Sequence, residues 1–165
     1  MTEAKPEDIA TPDNPPEARF RHADEEEWHE VRALEADGRR LSVFEKWLEF
    51  TPKMLSLYAK WDPGMMIHRH GHNGDHILFV LAGEMMCGEV KCTQGMHITL
   101  EHGAAFGPFI AGPEGVELFE VMLGDPRSWP ADPEGFETLL KERNTKKLPN
   151  PPINLPAWLE DTRSQ

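Results

Sequence analysis

Only two of the 165 residues are cysteine, too few to staple a disulfide scaffold. Long apolar runs are also missing. The longest, Ile77 to Ala82, is far short of the ~20 residues a membrane span needs. Basic residues are scarce, 17 Lys plus Arg against 29 Asp plus Glu, for a net charge of −12. Such a chain is repelled by phosphate backbones and anionic lipid, so neither a nucleic-acid nor a membrane partner is expected. The opening stretch Met1 to Asp8 has no apolar segment, so no signal peptide is expected and the location reads as cytoplasmic. Tyrosine occurs once, at Tyr58.

Proline is plentiful, 15 residues, and uneven. Pro6, Pro12, Pro15 and Pro16 mark residues 1–20 as a flexible Pro-rich segment. Pro149, Pro151, Pro152 and Pro156 mark residues 146–165 as a Pro-rich tail. Ile153, Leu155, Trp158 and Leu159 give that tail apolar side chains, so it is expected to pack on its own body or on a neighbouring subunit. The folded body is residues 21–145. Two short helices are expected in it. Asp24 to Ala36 has a capping Asp, three Glu in its first turn and a stop at Asp37-Gly38. Pro133 to Asn144 has an early Pro and apolar Phe136, Leu139 and Leu140.

Between Arg39 and Leu123 short apolar or alternating runs are broken by turn residues. The runs are Leu41–Leu48, Met54–Trp61, Met65–His72, His76–Ala82, Glu84–Cys87, Val90–Cys92, Met96–Glu101 and Val116–Leu123. Gly88-Glu89 suits a two-residue hairpin with Gly first. It places Cys92 opposite Met85 and leaves Cys87 and Cys92 unbridged. Strands at this density indicate an all-β sandwich or barrel.

Four of the eight histidines, His68, His70, His72 and His76, fall within nine residues. Along a strand His68, His70 and His72 point the same way, with i and i+2 about 6.6 Å apart and i and i+4 about 13 Å. One ion bound at ~2.1 Å is therefore shared by His68/His70 or by His70/His72, not by all three. The turn Asn73-Gly74-Asp75 brings His76 back beside the pair. Three imidazoles from two adjacent strands leave other coordination positions open.

The pattern Gly64, five residues, His70-x-His72, three residues, His76, six residues, Gly83 resembles the first motif of the cupins. Gly95, Glu101, Gly103, Phe106 and Ile110 occupy the positions of the second, where only the glycines match. The resemblance covers residues 39–123, about half the chain. It implies a double-stranded β-helix, the jelly-roll barrel, with short flanking helices. It implies one divalent metal ion on His70, His72 and His76, where His76 replaces the usual Glu. Phe106 replaces the usual fourth ligand and becomes an apolar wall. His68 becomes a supporting or substrate-facing group.

Three neutral ligands leave a divalent ion its full charge, which favours small anionic, chelating substrates. The resemblance points to a dioxygenase acting on an anionic or diketone-like molecule. Iron is the first choice of metal, with zinc, manganese or nickel as alternatives. A non-redox lyase, isomerase or hydrolase and a non-catalytic binding module are the competing readings. Glu117 and Glu120 lie on opposite faces of one strand, and Glu120 is the candidate general base. Tyr58 is a candidate for the cavity wall or for a dimer contact. A homodimer is expected from the family's habit of pairing through strands or terminal segments.

Overall fold

Strand pairing dominates the computed structural model, which describes residues 15–163. Residues 1–14 of the expected flexible N-terminal segment lie outside the described residues. Eleven strands run β1 His29–Ala36, β2 Arg39–Phe50, β3 Met54–Trp61, β4 Met66–Ile67, β5 His70–Asn73, β6 His76–Cys87, β7 Val90–Thr93, β8 His97–Leu100, β9 Phe109–Leu123, β10 Asp125–Pro130 and β11 Thr145–Lys147. The helix α1, Pro133–Glu142, sits between the last two. Nine strands form one antiparallel sheet with the main order β11-β1-β2-β3-β9-β6-β7; β4 pairs with β9 and β8 with β6. β10 and β5 form a separate two-stranded ribbon.

The expected helix over 24–36 is a strand. Only Ala23–Glu25 makes a helical turn, of 3-10 type and capped by His22. The Trp28, Val31, Leu34 spacing matched a helical period, but pairing to β2 and β11 overrides it. Asp37-Gly38 is no helix stop. Both residues have positive φ, 52° and 72°, and they join Ala36 to Arg39 as a tight hairpin turn. Asp-Gly is the favoured sequence for that turn because its twist matches the flanking strands. The second helix forms as expected. Asp132 caps it through a 3.0 Å bond from the Gly135 amide, and Phe136 and Leu140 face the core.

The two runs expected on either side of Gly83 are one strand, β6. Gly83 (φ 71°) sits at an irregularity in its register with β9. A Cβ there would lie 2.2 Å from the Gly115 carbonyl oxygen, so only glycine lets β6 and β9 stay paired. β9 is longer than expected, and its first residues pair with β4 and with the far end of β6. β10 was not legible as a strand because Pro126 and Pro130 interrupt it. It pairs only with β5, which spares it the amide donors a central strand must supply.

Leu57, Ala59, Val80 and Leu118 are fully buried at the centre of the sheet. Met85 and Cys92 face each other as expected, and Cys87 and Cys92 are free. The tail lies on its own chain's body. Leu159 is buried, Trp158 meets Phe50 edge-on at 5.7 Å, and Arg163 Nη1 donates to the Val31 carbonyl at 2.9 Å. Among the described residues no helix is long and apolar enough to cross a membrane.

Candidate metal centre

His70 and His72 stand two apart on β5, so the pleat sends both rings to one side. β5 is held from two directions. It pairs with β10, and His70 exchanges both backbone hydrogen bonds with Phe106 at 3.0 Å. His76 opens β6, opposite Leu100 and Met122. The turn between them stacks the rings in sequence. His70 and His72 are 5.0 Å apart at their centroids, and His72 and His76 are 4.6 Å apart. Phe106 packs edge-on to His70 at 5.2 Å and to His76 at 5.5 Å. It stands as an apolar wall against the imidazoles.

The outer nitrogens of the pair are pinned by main chain. His70 Nδ1 bonds the His68 carbonyl at 2.7 Å, and His72 Nδ1 bonds the Pro126 carbonyl at 2.8 Å. A carbonyl only accepts, so each Nδ1 carries the proton and each Nε2 keeps its lone pair. His72 Nε2 is buried with no partner, and so is His76 Nδ1. His76 Nε2 lies 3.0 Å from Glu120 Oε1. With Glu120 ionised, Nε2–H donates to it and Nδ1 holds the lone pair.

Burial drives the pKa of each imidazole down: His72 to about 3, His76 to about 4 and His70 well below its ordinary value. The rings are neutral at pH 7, the form that binds metal. Burial pushes Glu120 up to about 7. His76 and Glu120 therefore form a hydrogen-bonded pair rather than a strong ion pair. Among the described residues no three His, Cys, Asp or Glu groups already converge in a metal-binding arrangement, and His76 turns one nitrogen to Glu120. The donor set still fits a divalent ion. It offers neutral imidazoles, unpartnered inner nitrogens, and main-chain carbonyls fixing two of the three tautomers.

The histidines line a cavity of about 160 Å³. Trp61, Leu78, Phe106 and Phe109 make its apolar walls. Ile153, Leu155, Leu159 and Arg163 of the tail are also part of its lining. Glu120 lines this cavity, as expected of the inward carboxylate, whereas Glu117 faces out to Lys60. Tyr58 does not line it. On β3 the inward set is Leu55, Leu57, Ala59 and Trp61, so Tyr58 has the opposite parity. Its hydroxyl donates to Glu117 at 2.6 Å on the outer face.

His68 stands outside the first cavity. β4 ends at Ile67 and β5 begins at His70, so the backbone breaks where alternation would have aligned His68 with His70. Its carbonyl supports His70, and its ring, 5.1 Å from the His70 ring and 5.9 Å from Phe136, lines a second cavity rather than the first. Two groups in the first cavity escaped the sequence reading. Glu45 accepts from Trp47 Nε1 at 3.0 Å and rises to about 7, mainly by burial and then by the Glu120 charge. Arg32 lines the cavity beside it. The alternation Leu41, Val43, Glu45, Trp47 was the signal for Glu45.

No protein-family model matches the chain, and no curated protein matches it in sequence. Solved structures do match it in fold. A candidate acetylacetone dioxygenase from Methylibium petroleiphilum PM1 superposes with a TM-score of 0.58 at 15% identity, covering 73% of this chain and 85% of that one. The polyketide cyclase RemF from Streptomyces resistomycificus gives 0.55 at 17%, covering 70% and 86%. An acetylacetone dioxygenase from Acinetobacter johnsonii gives 0.52 at 13%, covering 66% and 75%. The fold is the all-β jelly roll of the cupins, with a short flanking helix.

Proposed function

We propose that the protein is a metal-dependent enzyme holding one divalent ion on His70, His72 and His76, and that it is a dioxygenase for a small anionic or diketone-like substrate. The observation that carries this reading is the set of buried, neutral imidazoles whose inner nitrogens, His72 Nε2 and His76 Nδ1, have no partner. Leaving such groups buried and unsatisfied is costly, and an ion relieves the cost. Two of the structural neighbours are described as acetylacetone dioxygenases, which supports the choice of reaction.

Iron, when bound, supplies the redox chemistry with dioxygen. The chain supplies the rest. Neutral ligands leave the ion's charge for an enolate or carboxylate. Glu120, near neutral pKa, accepts the acidic proton of a diketone on its other carboxylate oxygen, Oε2, while Oε1 keeps the hydrogen bond from His76 Nε2–H. Phe106, Leu78 and Trp61 keep water from the substrate. A second reading, a non-redox lyase or isomerase, draws on half-buried Glu45 and buried Glu120, two carboxylates lining one cavity with pKa values near neutral.

The test is metal analysis of protein purified without a histidine tag, followed by oxygen uptake with 2,4-pentanedione. The expected result is close to one ion per chain and iron-dependent uptake, both lost in His72→Ala. Protein that holds well under one ion and cannot be loaded overturns the reading. Turnover that proceeds without oxygen selects the non-redox alternative.

A further inference from the structure

The chain has five tryptophans. Trp28 and Trp158 are more than a third exposed. Trp47 Nε1 donates to Glu45 Oε2 at 3.0 Å, and Trp129 Nε1 to the His72 carbonyl at 3.4 Å. Trp61 differs from all four. It is 8% exposed, and its Nε1 is buried with no hydrogen-bond partner. A buried indole N–H normally finds an acceptor, because leaving it dry and idle is costly. The side chains beside Trp61 offer none. Val43 and Val116 stand opposite it on β2 and β9, and Phe109 meets it edge-on at 5.7 Å. The adjacent carboxylate, Asp62, is taken by the Ser42 amide at 2.8 Å. Trp61 belongs to the inward set of β3 and lines the first cavity. Phe109 links it to the histidines, since the His70 ring lies 5.8 Å from the same phenyl. The cavity therefore holds its imidazoles and, one ring further on, a neutral donor set among apolar side chains.

We propose that Trp61 selects the far end of the substrate: its Nε1–H donates to a neutral carbonyl oxygen carried beyond the group held at the histidines. The assignment rests on the metal-centre reading for where the near end of the substrate sits. The far oxygen is a neutral one. Glu45, Glu120, Glu160 and Asp161 also line the cavity, so a carboxylate placed away from the ion would be repelled. The substrate class is then a diketone-like chelator with a third carbonyl, a ketone or an ester, one short apolar spacer away. Apolar walls hold such a molecule, and a few placed polar groups fix its orientation. The indole N–H is already dry, so the carbonyl gains the bond without stripping water from the donor. An analogue without that oxygen leaves the donor idle and binds more weakly.

The test compares octane-2,4,7-trione with octane-2,4-dione, which has the same chelating end and chain length but no third carbonyl. The full chain is loaded with zinc so that neither probe is oxidised. Affinities are read by calorimetry. The Trp61 indole N–H, assigned through its contact with Phe109, is followed by NMR in the same titrations. The trione is expected to bind about tenfold more tightly than the dione and to move the indole N–H further downfield. Trp61→Phe, which keeps an aromatic ring and removes the donor, is expected to erase the difference between the two probes. Equal affinities in the unsubstituted protein, or an indole N–H that the trione leaves in place, overturn the proposal without recourse to any variant. Equal binding of both probes that is lost in His72→Ala overturns the role of Trp61 and keeps the metal anchor. A preference for the trione that survives His72→Ala with the indole shift intact keeps Trp61 in its role and overturns the metal anchor instead.

Discussion

Glu120 and Tyr58 are both ionisable strand residues, and parity alone separates them. Glu120 reaches the histidines, while Tyr58 bonds Glu117 on the outside. Glu120→Gln keeps the shape of the side chain but cannot take a proton. It is expected to retain metal and lose about 10²–10⁴-fold in kcat, read from steady-state kinetics beside metal analysis. Tyr58→Phe is expected to leave kcat and KM unchanged; a large drop in either would return Tyr58 to the site. His70, His72 and His76 were legible because a period of two and one tight turn bring them together. His68 supports His70 through its carbonyl, but alternation does not carry across Arg69, where strand geometry lapses between β4 and β5. Glu45 went unremarked because its alternation with Leu41, Val43 and Trp47 sets the face it shares but not what folds over that face.

At the scale of elements, turns were easier to read than the segments they join. Gly88 takes φ 58° in the expected hairpin, and α1 begins at its expected Pro133. Residues 24–36 failed because their apolar spacing suits two periods, and only distant partners choose between them. β10 failed because its pairing with β5 is long-range and its prolines argue against a strand. That ribbon has a sharp requirement. A Cβ on Gly71 would lie 2.2 Å from Trp129 Cζ2 and 2.4 Å from the Ala104 carbonyl oxygen. Gly71→Ala is therefore expected to part β5 from its neighbours. Chemical denaturation should register a loss of about 1–3 kcal/mol. Metal affinity should fall too, because His70 and His72 flank the residue.

For the molecule as a whole, the buried ionisable groups set a pH profile for the metal-free form. Depressed His68, His70, His72 and His76 hold fewer protons folded than unfolded below their ordinary 6.5, a window that reaches down to about 4 for His68 and His76 and about 3 for His72. Their contribution to stability rises with pH through that window. Raised Glu45 and Glu120 hold more protons folded, from their ordinary 4.5 up to about 7, so theirs falls. Four groups outweigh two where the windows overlap, and only the carboxylates act above 6.5. The thermal midpoint of metal-free protein is expected to climb from pH 4.5, peak near 6.5 and then slip back. A flat profile would contradict the burial of these groups. The location of the histidines has one more consequence. His70 and His72 ride on the small ribbon, whereas His76 belongs to the nine-stranded sheet. An ion gripped by all three is a rivet between two separately hydrogen-bonded pieces. Chelation should then free the ribbon alone, with amides of His70–Asn73 exchanging faster while those of Leu57, Val80 and Leu118 stay locked.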